Sequence, residues 1–364
     1  MKANEMKENW EKWRDEELIR ARFFLSRFLY TLDDEQLHIG GERFLMSGRK
    51  LVLTGKNDKD GTRVVIKFST EKSGMAEIRH EQETRRALED VSFSYHSTTF
   101  PDQLFWEDSS DHVILITAFI EQPIVFIKLP LQEQFFFALQ LLESQEGTHV
   151  TTREHEETLK LLGKTMRAED YLKSADEYCQ QIIQHLPEQA KLHQILEYAK
   201  IFLCEHRTTT GRYCGFLTHT DFVPHNFRVA GKQITLLDHT ALIIGNKYES
   251  WARLINFMML HNPDLERLLV DYVKENRGSD EYLDLMLMRV YKLCFLIDYY
   301  TRSYQKTDGD LHELSKERIT FWSSALDSIL HSQAVPREVI DHYKDVCQRL
   351  RSSEERKRQK EISG

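Results

Sequence analysis

The apolar positions change period along the chain. From Asn9 to Leu32, Trp10, Trp13, Leu18, Leu25 and Leu29 recur at helical spacings with charges between them, which predicts an amphipathic helix. Between Gln36 and Ser69 the pattern shortens to β-prone runs, Arg43 to Met46, Lys50 to Thr54 and Thr62 to Ser69, separated by glycine-containing turns. Asp60-Gly61 predicts a hairpin between the last two. Ser73 to Leu88 is rich in Glu, Arg and Ala and reads as a helix carrying Met75, Ile78 and Ala87. Gln103 to Glu107 and His112 to Ile120 read as strands joined by the polar turn Asp108 to Asp111. The run Val113 to Ile116 is apolar on both faces, as a buried strand requires. These elements predict a small antiparallel sheet with one inserted helix.

Beyond Pro130 the period is helical. Leu131 to Leu142, Ala168 to His185, Glu188 to Glu205, Asn262 to Asn276, Glu281 to Tyr304 and Leu311 to Ser332 all repeat apolar residues three and four apart. Phe216 to Ile244 breaks the pattern: two short runs, Asn226 to Val229 and Gln233 to Leu237, flank the Ala230-Gly231 turn, amid a dense set of His and Asp residues. The expected class is α+β, a small antiparallel β lobe with one helix plus a large, mainly helical lobe. The expected divisions are an N-terminal helical extension (1–35), a small lobe (36–122), a large lobe (123–345) and a charged tail (346–364) expected to be disordered.

Composition narrows the partners. The 364 residues carry 49 Lys and Arg against 58 Asp and Glu, a net charge of -9, which disfavours an extended nucleic-acid surface and mildly favours a cationic small molecule. No run approaches the apolar length of a membrane span, and Met1 to Arg22 lack the apolar core of an export signal. The five cysteines, Cys179, Cys204, Cys214, Cys294 and Cys347, show no metal-like pairing, as expected of reduced thiols in a cytoplasmic protein.

The densest chemistry lies in Leu217-Thr218-His219-Thr220-Asp221-Phe222-Val223-Pro224-His225-Asn226-Phe227, followed by Leu236-Leu237-Asp238-His239. His219, Asp221 and Asn226, with Asp238 after a hairpin, resemble the catalytic loop and metal-binding Asp of the protein-kinase-like superfamily. The resemblance is closest to the aminoglycoside phosphotransferase and choline kinase branch, with Thr220 in place of that family's Gly. Upstream, Val64-Val65-Ile66-Lys67 resembles the strand that bears a phosphate-binding Lys, ahead of a Glu-bearing helix. The resemblance implies a two-lobed protein-kinase-like fold and an enzyme, an ATP- and Mg2+-dependent kinase acting on a hydroxyl of a small molecule.

Phosphoryl transfer needs a carboxylate at the attacking hydroxyl and hard oxygen ligands for magnesium, and the protein otherwise positions groups and neutralises charge. The resemblance assigns the first role to Asp221, with His219 supporting the loop, and the metal to Asn226 and Asp238. It assigns the phosphates to Lys67, paired with Glu81, whose helical phase favours it over Glu77 and Glu83. It places Thr117, Phe119 and Glu121 in the hinge that meets adenine. Gly40-Gly41 and Gly48 are both open as the glycine-rich phosphate loop. The weak glycine loop supports an alternative, a catalytically weak pseudokinase serving as a nucleotide- or partner-binding module. Asp238 precedes His239 and Thr240 rather than Phe-Gly, which disfavours a protein kinase. His225 and His239 lack the spacing of a zinc hydrolase. Asp298, in the apolar run Leu285 to Tyr304, reads as an internal ion pair with Arg289 or Arg302 ahead of an acceptor contact. Phe135 to Phe137 read as core.

Overall fold

A computed structural model of the chain describes residues 3–45, 48–91, 98–159 and 163–363. Helix α1 (Ala3–Ser26) ends before Leu29, which takes a left-handed turn, and the chain enters a short strand, β1 (Tyr30–Leu32). The predicted helix therefore stops a turn early. Arg43 to Leu45, expected as strand, instead close a 3-10 turn (Gly41–Leu45), while Met46 lies outside the described residues. Strands β2 (Leu51–Asn57) and β3 (Arg63–Ser69) form the predicted hairpin, α2 (Lys72–Glu89) follows, and after the short β4 (Thr98–Thr99) come β5 (Gln103–Asp108) and β6 (Val113–Ala118). The five-stranded sheet runs β1-β2-β3-β6-β5 with antiparallel neighbours.

Strand alternation decides what each face of this sheet holds. Val64, Ile66 and Phe68 of β3 and Ile114 and Ile116 of β6 share a core with Ala21 and Leu25 of α1, so the N-terminal helix covers one face. Val113 and Leu115 pack with Met75 and Ile78 of α2 on the other. Lys67 lies opposite Leu115 in the ladder and so points to the α2 face. Gly74 lets the first turn of α2 dock: a Cβ there would sit 2.1 Å from the carbonyl oxygen of Arg49.

The remaining chain is mostly helical: α3 (Leu131–Ser144), α4 (Arg153–Leu159), α5 (Ala168–His185), α6 (Ala190–Glu205) and α7 (Arg207–Arg212) precede a β segment. There β7 (Cys214–His219) pairs with β10 (Leu242–Asn246), and between them the hairpin of β8 (Phe227–Ala230) and β9 (Gln233–Leu236) is joined in parallel by β4. Helices α8 (Tyr248–His261), α9 (Pro263–Asn276), α10 (Ser279–Lys306) and α11 (Gly309–Leu330) build the main core around Tyr171, Tyr248 and Trp251. Phe137 joins this core, but Phe136, expected there too, is 57% exposed because adjacent helical residues point about 100° apart.

The tail corrects a sequence expectation. Instead of disorder it completes α12 (Arg337–Leu350), which begins in the large lobe, with Val346 buried, and forms α13 (Ser353–Ser363). Glu355 is buried as well, bonded to Arg358 and to the main-chain N–H of Glu42. Of the charges in this segment, Glu355 and Arg358 are drawn inward as partners, while Glu354, Arg356 and Lys357 stay exposed.

Candidate active site

Helix α2 buries a stripe through Gly74, Ile78, Glu81 and Arg85, positions three and four apart, so Glu81 faces the sheet at the height of Lys67. The Lys67 ammonium lies 2.5 Å from both carboxylate oxygens of Glu81. His239 Nδ1 stands 3.7 Å from the same carboxylate, and its ring packs on Phe100 at 4.3 Å. Burial alone would raise the Glu81 pKa; the Lys67 charge and the His239 ring overcome it and hold the carboxyl well below its usual range. Burial likewise lowers the pKa of His239.

Strand β7 delivers His219 and Asp221 to the cleft, and the β8–β9 hairpin returns Asp238 beside them. His219 is buried, with Nε2 3.2 Å from the carbonyl oxygens of Leu237 and Asp238, so the ring ties the two halves of the site together. Asp238 is left-handed (φ 55°), and Thr240 donates to its Oδ1 at 2.6 Å. Asn226 Nδ2 donates to the carbonyl oxygen (2.7 Å) and Oδ2 (3.1 Å) of Asp221. That leaves Asn226 Oδ1 without a hydrogen-bond partner among the described residues. Arg253 Nε donates to Asp221 Oδ1 at 2.8 Å. Enclosure in the cleft would raise the Asp221 pKa, but Arg253 and His219 bring it down to about 2. The carboxylate is nonetheless 51% exposed and open to a ligand.

Of the expected hinge residues, Phe119 and Glu121 line a pocket of about 220 Å³ that also reaches Pro224, His225 and Arg228 of the loop. Thr117 does not line it; its side chain is buried in β6, in register with Val65 and Gln103. The Arg63 guanidinium lies 3.9 Å over the Phe119 ring and bonds Glu121 at 2.7 Å, so the Glu121 carboxylate is already engaged. Gly40-Gly41 is held by the tail: a Cβ on Gly40 would fall 2.5 Å from Glu354 Oε1, and one on Gly41 (φ +61°) even nearer the Glu355 carboxylate. Gly48 lies beside Glu77 and Arg43 instead.

Sequence reasoning missed Arg253, Glu249 and Lys292. Lys292 Nζ donates to the carbonyl of Thr220 (2.7 Å) and to Glu249 (3.0 Å), whose other oxygen accepts from Tyr171 Oη at 2.6 Å, a buried chain beneath the loop. A lysine in the apolar run of α10 was the available signal, since such charges are almost always paired. Asp298 bonds Arg302 at 2.8 Å, the internal ion pair expected, while Arg289 pairs with Glu266. His225 packs on Phe257 and His239 on Phe100, and among the described residues no three His, Cys, Asp or Glu side chains gather to cage a metal. No disulfide joins the cysteines, and no helix among the described residues is long and apolar enough to cross a membrane.

No protein-family model and no curated protein matches this sequence. Solved structures do. An ADP-bound aminoglycoside phosphotransferase, APH(2'')-Ib, is 14% identical over 81% of this chain and 92% of that one, with a TM-score of 0.51. The ternary complex of APH(2'')-IIa with streptomycin and ATP is 15% identical over 81% of this chain and 92% of that one, TM-score 0.50. A macrolide 2'-phosphotransferase type I is 9% identical over 83% and 96%, TM-score 0.55. The chain thus has the two-lobed, protein-kinase-like fold of the aminoglycoside and macrolide phosphotransferases.

Proposed function

We propose that the protein transfers the γ-phosphoryl group of ATP to a hydroxyl of a small molecule, with Mg2+ as cofactor. The observation that carries this reading is the convergence of Lys67–Glu81, Asp221, Asn226 and Asp238 on one cleft, in the order that phosphoryl transfer needs.

The donor set fits the metal. Magnesium takes one or two protein oxygens and completes its shell with phosphates and water, so the Asp238 carboxylate and the unengaged Asn226 Oδ1 suffice. Bound there, the ion would neutralise charge on the transferring phosphates. Lys67, fixed in direction by Glu81, would hold the phosphates from the small lobe, and main-chain groups near Phe119 would meet the base. The acceptor oxygen bonds to the γ-phosphorus as the bond to the bridging oxygen of ADP breaks, and the hydroxyl proton passes to Asp221 or to solvent. Held near pKa 2 by Arg253, Asp221 acts chiefly by orienting that hydroxyl through an accepted hydrogen bond.

The test is ATP binding by the purified protein with and without Mg2+, then ADP release with candidate acceptors. Mg2+-dependent binding that is lost in Asp238→Ala, with acceptor-dependent ADP release, is the expected result. No nucleotide binding under any condition refutes the enzyme. One observation favours the second reading, the weakly catalytic pseudokinase. The main-chain N–H of Glu42, beside Gly40-Gly41, is taken by the Glu355 carboxylate (2.9 Å) rather than free for a phosphate. Nucleotide binding without any turnover selects that reading.

A further inference from the structure

The large lobe holds a cavity of about 1230 Å³ that opens on Asp221 and lies between α8, α10, α11 and α12, with α13 as its cover. Aromatic rings line it, Tyr178, Tyr291 and Phe295 packed together as a wall, with Tyr299 and Trp322 also at its surface. Nine lysines and arginines line the cavity against four carboxylates. Each carboxylate is consumed by a cation of the same cavity: Asp221 by Arg253, Glu249 by Lys292, Glu42 by Arg318 and Glu355 by Arg358. Lys357 is matched by Glu35, outside it. Lys164, Lys344, Arg351 and Arg356 have no carboxylate partner among the described residues, and Arg351 Nε is buried without a hydrogen bond. Arg356 reaches only the carbonyl of Gln348.

The excess is therefore real charge facing the cavity, in a chain whose net charge is -9. Lys164, Lys344 and Arg356 are exposed and Arg351 is half-buried, so the concave site keeps an unneutralised positive field that an entering anion would meet. From these observations we infer that the acceptor is an anionic hydroxyl compound, carrying a carboxylate or a phosphate, with a ring that lies against the aromatic wall. The inference rests on the phosphotransferase reading, because it takes the hydroxyl to Asp221, and it replaces the cationic acceptor that net charge alone suggested.

Helix α8 lines the cavity from Asp221 inward. Arg253, Phe257 and His261 succeed one another at i+4 on the cavity face of α8. Arg253 holds Asp221, and burial, with the charges of Lys344, Arg351 and Arg253, lowers the pKa of His261 to about 4.

The experiment measures binding to the full-length protein saturated with a nonhydrolysable ATP analogue and Mg2+, so that nucleotide phosphates are already accounted for. The probes are matched sets: glucuronides with the corresponding glucosides, hexose phosphates with free hexoses, and polycationic aminoglycosides. Anionic members bind about tenfold or more tightly than their neutral partners. The advantage shrinks as salt rises from about 0.05 to 0.5 M, and Lys344→Glu/Arg351→Glu abolishes it. The glucuronide and phosphate arms tell carboxylate from phosphate. Equal binding of neutral and anionic members, tighter binding of the aminoglycosides, or a salt-independent preference overturns the inference. If the double variant does not fold, the matched sets and salt series on the wild-type protein decide alone. Titration of the analogue itself, run first, reports separately on the phosphotransferase reading.

Discussion

Replacing Lys67 by Met keeps the aliphatic stem and deletes the ammonium, leaving Glu81 without its partner. The Glu81 side chain is 3% exposed and sits on the sheet face of α2, where water cannot follow it. Breaking one side of a buried pair costs about 3–5 kcal/mol, because the remaining charge keeps its desolvation penalty and loses its compensation. Removing both charges in Lys67→Met/Glu81→Gln restores most of that loss, so the double-mutant cycle carries a coupling of about 2–3 kcal/mol. Urea unfolding without nucleotide measures it, with linear extrapolation to water. The pH dependence has a defined sign. The folded-state pKa of Glu81 is depressed, so its stabilisation is present above the unfolded value of 4.5 and is lost as pH falls below it. In Lys67→Met burial dominates and the carboxyl takes up a proton more readily, so the gap between variant and wild type narrows in acid. Single variants within about 1 kcal/mol of wild type, or a cycle with no coupling, would refute the pair as a buried, mutually dependent unit.

Three further outcomes are expected. Asp221→Asn lowers acceptor-dependent ADP release by about a hundredfold to ten-thousandfold while nucleotide affinity, read by titration calorimetry, is retained. Gly41→Ala introduces a Cβ against the Glu355 backbone (3.1 Å to its Cα) at a positive φ, and destabilises the fold by about 1–3 kcal/mol. A lowered melting temperature with earlier proteolysis of α13 checks it; an unchanged melt would mean that the tail does not dock there. Lys292→Met strands the buried Glu249 beneath the loop and costs about 3–5 kcal/mol, largely recovered by adding Glu249→Gln, as chemical unfolding will show.

What the sequence disclosed follows the range of the interactions. His219 reaches the Leu237 and Asp238 carbonyls, and Asn226 reaches Asp221, within one short stretch, so the site's order is written locally. Lys67 and Glu81 are joined by a hairpin strand and the next helix, and strand alternation with helical phase nearly suffices to pair them. Arg253 and Lys292 come from helices after the hairpin. The segment of Arg253 was opaque for a physical reason: α8 buries Glu249, Ser250 and Asn256 together with its apolar residues, so it presents no clean amphipathic stripe. The run at Arg43 to Leu45 read as strand on residue preference, but tertiary partners won there. Arg318 bonds Glu42, Glu355 receives its N–H, and the segment turns. The tail was misread for the same reason, since a charge run looks solvated until its partners are found 300 residues away in sequence, as with Glu42 and Glu355 (|i−j| 313).

One carboxylate joins the two halves of the cleft. Glu81 touches Lys67, the proposed phosphate ligand, and stands 3.7 Å from His239, the residue that follows the proposed metal ligand Asp238. His239 is itself clamped by Phe100, and Asp238 is fixed by His219 through its carbonyl. Glu81 of α2 thus contacts both Lys67 of β3 and the ring that follows Asp238. Because the Lys67–Glu81 pair is buried and short, a displacement of α2 would expose an uncompensated charge, which makes the aligned arrangement the low-energy one. The protein holds the groups proposed for phosphate and metal in register through its own packing.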